Sequence, residues 1–357
     1  MGRRYEVLDG LRGTAALVVL IFHLLEVTCG EPAKNPLHHA YLAVDFFFML
    51  SGFVIGHAYD RRWPRMSLAG FFGRRLQRLH PLVLLGATLG LVGYLADPFA
   101  REAQQAAPAA ILLTYGLLLL VLPSPDLPNR WGETHSLNGP TWSLLQEYLA
   151  NIAYALILRR LSVQALAAIA AIAGAGLLVA GGLRGDMGAG WGWTTFWYAP
   201  IRTAFPFLAG LLLHRTGARL SLPGGWAMLS LVLVAAFAAP TLSMQGTIKA
   251  NGVFEALIII GLFPLIIAAG AAAEARGLLG RLSGWLGAIS YPLYVTHYPF
   301  VYVYTHWVWR RPPPAQVVAV GAALGVFCVL FAWAALKLFD EPVRAWLARR
   351  EREVAAA

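Results

Sequence analysis

Apolar and polar positions in this chain alternate on the scale of whole helices rather than single turns. Apolar stretches cover roughly residues 8–28, 41–59, 80–96, 108–122, 140–158, 162–182, 199–214, 225–240, 252–272, 284–308 and 316–338, eleven in all. About 20 apolar residues, wound as a helix, match the thickness of a bilayer's hydrocarbon core. A spanning segment must also satisfy its own backbone, which a helix does. The pattern predicts an all-α, polytopic transmembrane helix bundle.

The polar punctuation between stretches orients the bundle. Basic residues cluster at Arg3 and Arg4, from Arg61 to Arg78, at Arg159 and Arg160, at Arg215 and Arg219, and from Arg344 to Arg350. Placing these clusters inside, as the positive-inside rule requires, puts loop 97–107 outside. Two stretches then lie between an outside loop and the inside pair Arg159–Arg160, where an odd number of crossings is needed. The short 108–122 stretch is therefore expected to be re-entrant, interfacial or broken. The resulting expectation is about ten crossings with both termini cytoplasmic, or eleven if one arginine pair lies outside. Residues 1–345 read as a single transmembrane domain and 346–357 as a short basic cytoplasmic tail. The first stretch carries Arg12 and His23 and reads as a retained helix rather than a cleaved leader.

Composition sharpens this picture in two ways. Hydrophobic residues make up 58% of the 357 and charged residues 13%, about half the charged share of a soluble domain. The net charge of +10 would suit a polyanion, but its confinement to helix junctions argues against nucleic acid and for anionic membrane lipid. The excess of Arg over Lys, with abundant Ala and Gly, fits a GC-rich bacterial genome and hence a multi-pass protein of the bacterial cytoplasmic (inner) membrane. Cys29 and Cys328 lie far apart, so no disulfide framework and no zinc-ligand spacing is read, and no metal is expected.

The candidate chemistry sits where polar residues interrupt apolar stretches, because burying them is costly. Arg12 and His23 are eleven residues apart, which brings them to within roughly 20° of one helix face and about 16 Å apart along the axis. Each has a plainer alternative: a snorkelling arginine and a packed histidine. Neutral imidazole, however, is a proton acceptor at physiological pH. Asp45 opens the second stretch as a helix cap or a functional acid, and Ser51 beside Gly52 suits either close packing or chemistry. His57 is expected at the interface.

Arg74 and Arg78 share a helix face beside Arg75, either obeying the positive-inside rule or offering guanidinium forks to phosphates. Trp142, Ser143 and Glu147 follow the Asn138–Gly139–Pro140 turn, with Glu147 either pairing a buried base or binding an acceptor. Ser290, Tyr294 and His297 line one face of a later helix that Pro292 and Pro299 can bend. Tyr298, Tyr302 and Tyr304 read as an interfacial aromatic belt.

In order, LDGLRGTAALVVLIFH (8–23), VDFFFMLSGFVI (44–55), RRLQRLHP (74–81), PTWSLLQE (140–147), ISYPLYVTH (289–297) and FDEPVRAWL (339–347) resemble the acyltransferase-3 family of membrane acyltransferases over nearly the whole chain. The resemblance implies that His23 is the essential catalytic group with Arg12 as its partner, and that Arg74, Arg75 and Arg78 meet the acyl-CoA. It also maps the family's Trp-Ser-Leu and glutamate motif onto Trp142, Ser143 and Glu147. Leu145 and Tyr148 stand where members often carry a serine and a second acid, so the carboxylate role falls to Glu147 alone. The likeness is to a stand-alone version without a fused periplasmic hydrolase-like domain.

The function expected is transfer of an acyl group, acetyl above all, from cytoplasmic acetyl-CoA or another acyl-CoA to a hydroxyl of a carbohydrate or related acceptor. His23 would be the general base or a covalent acyl relay, and Arg12 or Ser51 would stabilise the oxyanion. Asp45, Ser51, Trp142, Ser143, Tyr294 and His297 are the candidate acceptor-side residues. A homo-oligomer is allowed. The competing class is a transporter or flippase of a polar solute, which needs no CoA.

Overall fold

The structure, a computed structural model, describes residues 5–29, 34–100 and 106–356. Arg3 and Arg4, the centre of loop 97–107 and Ala357 lie outside the described residues. The described chain forms α1 (Glu6–Cys29), α2 (Ala43–Tyr59), α3 (Leu68–Ala96), α4 (Pro108–Leu119), α5 (Thr141–Leu156), α6 (Val163–Arg184) and α7 (Tyr198–Thr216). It continues through α8 (Gly225–Phe237), α9 (Ala250–Leu257), α10 (Phe263–Ala272), α11 (Gly277–Thr296), α12 (Tyr298–Val308), α13 (Pro314–Ala334) and α14 (Glu341–Ala356). No extended strand occurs among the described residues. Two π-helical turns, Ile258–Leu262 and Ala335–Asp340, link α9 to α10 and α13 to α14.

Local chemistry sets the helix ends. Ser67 and Ser162 cap α3 and α6 by accepting from Gly70 N at 3.0 Å and Ala165 N at 3.2 Å, the reason serine is favoured there. Gly185 (φ +102°) and Gly217 (φ +68°) end α6 and α7 in the left-handed conformation that spares glycine a Cβ clash.

Six described helices are long and apolar enough to cross a membrane: Glu6–Cys29, Ala40–Tyr59, Leu68–Ala96, Val163–Arg184, Ala250–Ala272 and Pro314–Glu351. Their outer faces leave large aliphatic side chains bare, with Ile172 72% and Leu338 80% exposed. Water does not tolerate such continuous apolar surface, and lipid does. The chain is an integral membrane protein built as a helix bundle. As a helix of 12 residues, α4 rises about 18 Å, well short of the roughly 30 Å hydrocarbon core. The 284–308 stretch is not one helix but breaks at His297 into α11 and α12.

Two compact units are each assembled from two separate stretches, 1–64 with 143–290 and 65–142 with 291–357. In the first unit α2 and α7 meet backbone to backbone. A Cβ on Gly52 would lie 2.0 Å from Phe207 O, and one on Gly210 would lie 1.9 Å from Met49 O. Small residues permit this approach between membrane helices, so Gly52 serves the packing role open to it. Gly10 and Gly13 do the same for α1 against α11, where Ser283 and Leu286 fill the space.

In the second unit the segment between α4 and α5 is buried although it is not helical. Ser124, Arg130, Glu133, Thr134, His135, Ser136 and Asn138 are each almost wholly inaccessible. Irregular backbone survives at such depth only if its polar groups find partners. Accordingly Asn138 Nδ2 donates to Val295 O at 2.8 Å and Gly139 N donates to Tyr302 Oη at 3.0 Å. Tyr302 and Tyr304 are therefore interior residues rather than parts of an aromatic belt, since their hydroxyls serve this loop and the start of α13. Helix α14 reaches back to α3, where Gln77 Nε2 donates to Glu351 Oε2 at 3.3 Å.

Candidate functional site

In the first unit α1 carries two of the three expected catalytic residues, Arg12 and His23, and α5 carries the third, Glu147. Arg12 Nε donates to Ser290 Oγ at 2.8 Å and Nη2 to Gly287 O at 3.1 Å, with Asp9 Oδ1 at 3.2 Å. Its guanidinium is thus fastened to α11 and to its own first turn. The other end of α1 holds His23, half-buried, with Nδ1 3.1 Å from Glu26 Oε2. A carboxylate at Nδ1 favours the Nδ1–H tautomer and puts the lone pair on Nε2, the arrangement by which acids orient catalytic imidazoles. Three residues beyond His23, Glu26 is on the same helix face, a pairing sequence spacing alone would have offered.

Also in this unit, Ser51 Oγ donates to Glu147 Oε1 at 2.7 Å, and Asn151 Nδ2 approaches the same oxygen at 3.2 Å. Two residues placed together only by their candidate roles are therefore directly bonded. A hydroxyl has a single O–H, so in this arrangement Ser51 serves the carboxylate rather than an oxyanion. Asp45, fully buried, pairs with Arg202, whose Nε and Nη2 meet Oδ1 and Oδ2 at 3.2 and 2.5 Å. Arg202 also donates to Ala189 O and Tyr41 O. Ser143 is buried at the start of this unit's second stretch.

The second unit contains the remaining expected residues. Arg74 and Arg78 are exposed on one face of α3, while Arg75 is buried. Trp142 is buried, and Tyr294 Oη donates to Pro140 O at 3.4 Å. His297, at the α11–α12 break, turns Nδ1 onto Leu293 O and Tyr294 O at 2.9 and 3.0 Å. His57, in the first unit, stacks edge-on with Tyr5 at 4.9 Å and His214 at 5.7 Å.

Sequence reasoning missed several polar groups of equal rank. Arg202 and Glu255 interrupt the 199–214 and 252–272 stretches as plainly as Arg12 interrupts the first, and the same cost argument selects them. Glu133, in the buried loop, bonds Tyr302 and sits 3.3 Å from Tyr298 Oη. Burial pushes its carboxyl up to about 8, and burial holds neighbouring His135 down to about 4. Arg130 lies over the Tyr302 and Tyr94 rings at 3.9 and 4.7 Å, a cation–π arrangement. His306 Nδ1 meets Asp97 Oδ2 at 2.5 Å, both buried. Signals for Arg130, Glu133 and His135 were weak because that loop lies outside any apolar stretch, whereas His306 interrupts the 284–308 stretch and was overlooked.

Comparison with known proteins gives the chemistry a family. The acyltransferase domain of the acyltransferase-3 family matches residues 5–336. A protein named Protein 2 in picA locus, from Rhizobium radiobacter, is 34% identical over 167 residues, covering 43% of this chain and 81% of that protein. No solved structure matches. With a match running from before α1 to the π turn after α13, the chain belongs to the acyltransferase-3 family and is an integral membrane acyltransferase.

Proposed function

We propose that this protein is an O-acyltransferase of the bacterial cytoplasmic membrane that moves an acetyl group from cytoplasmic acetyl-CoA to a hydroxyl of a carbohydrate or related acceptor. The observation that carries the proposal is the His23–Glu26 pair, an imidazole steered by a carboxylate on the helix that bears the family's first motif. Residues 1–345 act as one acyltransferase domain, with the basic tail beyond.

Two balanced sequences fit His23. As general base, Nε2 takes the acceptor's hydroxyl proton while that oxygen attacks the thioester carbonyl. The tetrahedral intermediate then expels CoA thiolate, which receives the proton from imidazolium. As relay, Nε2 itself attacks the thioester and the C–S bond breaks, the Nδ1 proton of the resulting acylimidazolium passing by way of Glu26 to the CoA thiolate; the acceptor oxygen then takes the acyl group from Nε2, and its hydroxyl proton returns to the imidazole. Arg12, at the opposite end of α1 from His23, fastens that helix to α11, and Ser51 with Glu147 forms a hydroxyl–carboxylate pair for the acceptor side. Arg74 and Arg78 present exposed guanidinium groups suited to CoA phosphates.

Steady-state release of CoA thiol tests this reading. Arg74→Ala with Arg78→Ala should raise KM for acetyl-CoA at least about tenfold with kcat little changed, the signature of lost uniform binding. An unchanged KM removes the arginines from the donor site. A transporter of a polar solute would leave acetyl-CoA intact throughout.

A further inference from the structure

A second polar centre lies in the first unit, at the start of α2 and in α9, beside the π turn Ile258–Leu262. Its hub is Glu255, wholly buried. Glu255 Oε1 accepts from Tyr41 Oη at 2.5 Å, from Asn251 Nδ2 at 2.8 Å and from His39 Nδ1 at 2.8 Å, and Oε2 accepts from Met187 N at 2.6 Å. Four polar groups thus converge on one carboxyl group, while the cation packed nearby, Arg202, makes a two-point pair with Asp45.

His38 and His39 complete the centre. Their rings stack edge-on at 4.8 Å. His38, His39 and Glu255 each present one ligand atom, and the three atoms lie within 4.8 Å of one another. We propose that His38, His39 and Glu255 form a binding site for a divalent transition metal of the zinc class. Two imidazoles and a carboxylate are a donor set that zinc takes, with a fourth position open to a water or hydroxyl oxygen. The imidazoles disfavour calcium and magnesium, which prefer oxygen.

Geometry and proton count are consistent with this assignment. Ligands on one zinc ion sit about 2.0–2.2 Å from it, hence no more than about 4.4 Å from each other. His39 Nδ1 and Glu255 Oε1 already satisfy that limit, and His38, half-buried on a turn, is the ligand that closes the remaining gap. Coordination through Nδ1 moves the His39 proton to Nε2, which is buried without a hydrogen-bond partner among the described residues, and no electrons are transferred. Tyr41, Asn251 and Met187 N already fix the carboxylate, as outer-shell groups do around bound metals. The proposal is independent of the acyl-transfer reading.

The test uses the untagged full chain, stripped with chelator and reloaded with Zn²⁺ or, for a visible signal, Co²⁺. Wild type should retain about one zinc per chain through gel filtration, show ligand-field absorption with Co²⁺, and gain thermal stability from zinc. His38→Ala leaves the Glu255 hydrogen bonds intact. It should therefore fold as wild type does yet lose at least about tenfold in metal affinity, a change typical of disturbed coordination, together with the zinc-dependent stabilisation. Absence of stoichiometric zinc in reloaded wild type overturns the proposal, as does a His38→Ala variant that binds zinc as tightly as wild type. Failure of acetyl transfer leaves this test unaffected, because its readouts are binding and stability.

Discussion

Glu26 is the residue whose effect on His23 can be isolated most cleanly. Glu26→Gln keeps an acceptor near Nδ1 but removes the charge, so, in protein of wild-type Tm, it should lower kcat at least about tenfold while leaving KM for acetyl-CoA unchanged; an unchanged kcat would remove Glu26 from the mechanism. Glu133 makes a separate prediction through pH. Its folded-state value, about 8, lies above the ordinary carboxyl value, so between those limits the folded protein binds a proton the unfolded chain has lost. Stability must then fall as pH rises from about 5 to 8. Glu133→Gln, neutral at every pH, should flatten that slope in thermal unfolding, and an unaltered slope would show that other groups carry it. Arg12, His23, Asp45, Ser51 and Glu147 were legible in the sequence as costly polar residues in apolar stretches. Of their partners, Glu26 was within reach of helix spacing and Arg202 of the same cost argument, whereas the Arg12–Ser290 pairing is selected by three-dimensional neighbourhood alone. Arg202 was overlooked rather than hidden.

Helix packing supplies the contrast at the scale of elements. On α7 Gly210 faces the Met49 carbonyl with no room for a methyl group, whereas Gly176 on α6 has nothing within 4 Å of its would-be Cβ. Gly210→Ala should cost on the order of 1–3 kcal/mol or more, read as a lowered Tm in detergent, while Gly176→Ala should be neutral or mildly stabilising. Equal effects would refute the close α2–α7 approach. Apolar periodicity located α1, α2, α6, α7 and α13 within a few residues, but it began the third helix at 80 where α3 starts at Leu68, because the first turns of α3 carry Arg74, Arg75 and Arg78. It did not reveal the α11–α12 break, since neither Pro292 nor Pro299 sits at the break itself and His297 carries no breaker signal. Nor did it reveal that residues 133–140 are buried, because the loop's composition is polar and its buried groups are satisfied by hydrogen bonds to α11 and α12.

For the whole molecule, the positive-inside pattern leads us to propose ten crossings with cytoplasmic termini, in which 108–122 does not cross. Single cysteines placed at 125 and at 160 in a cysteine-free background, labelled with impermeant maleimide from either side, should report the outer face at 125 and the cytoplasmic face at 160; the reverse assignment would make 108–122 a full crossing and the count eleven. Several polar centres were invisible as assemblies in the sequence, because Tyr41 and Glu255, or Glu133 and Tyr302, are separated by most of a domain in the chain. The acyl-transfer account itself is tested most directly by supplying radiolabelled acetyl-CoA to the full chain in nanodiscs, wild type beside His23→Ala. The account predicts CoA release from wild type and none above background from the variant, with label retained on wild-type protein if His23 is a covalent relay. Turnover by His23→Ala at the wild-type rate, or no turnover and no acetyl-CoA binding by either protein, would contradict it.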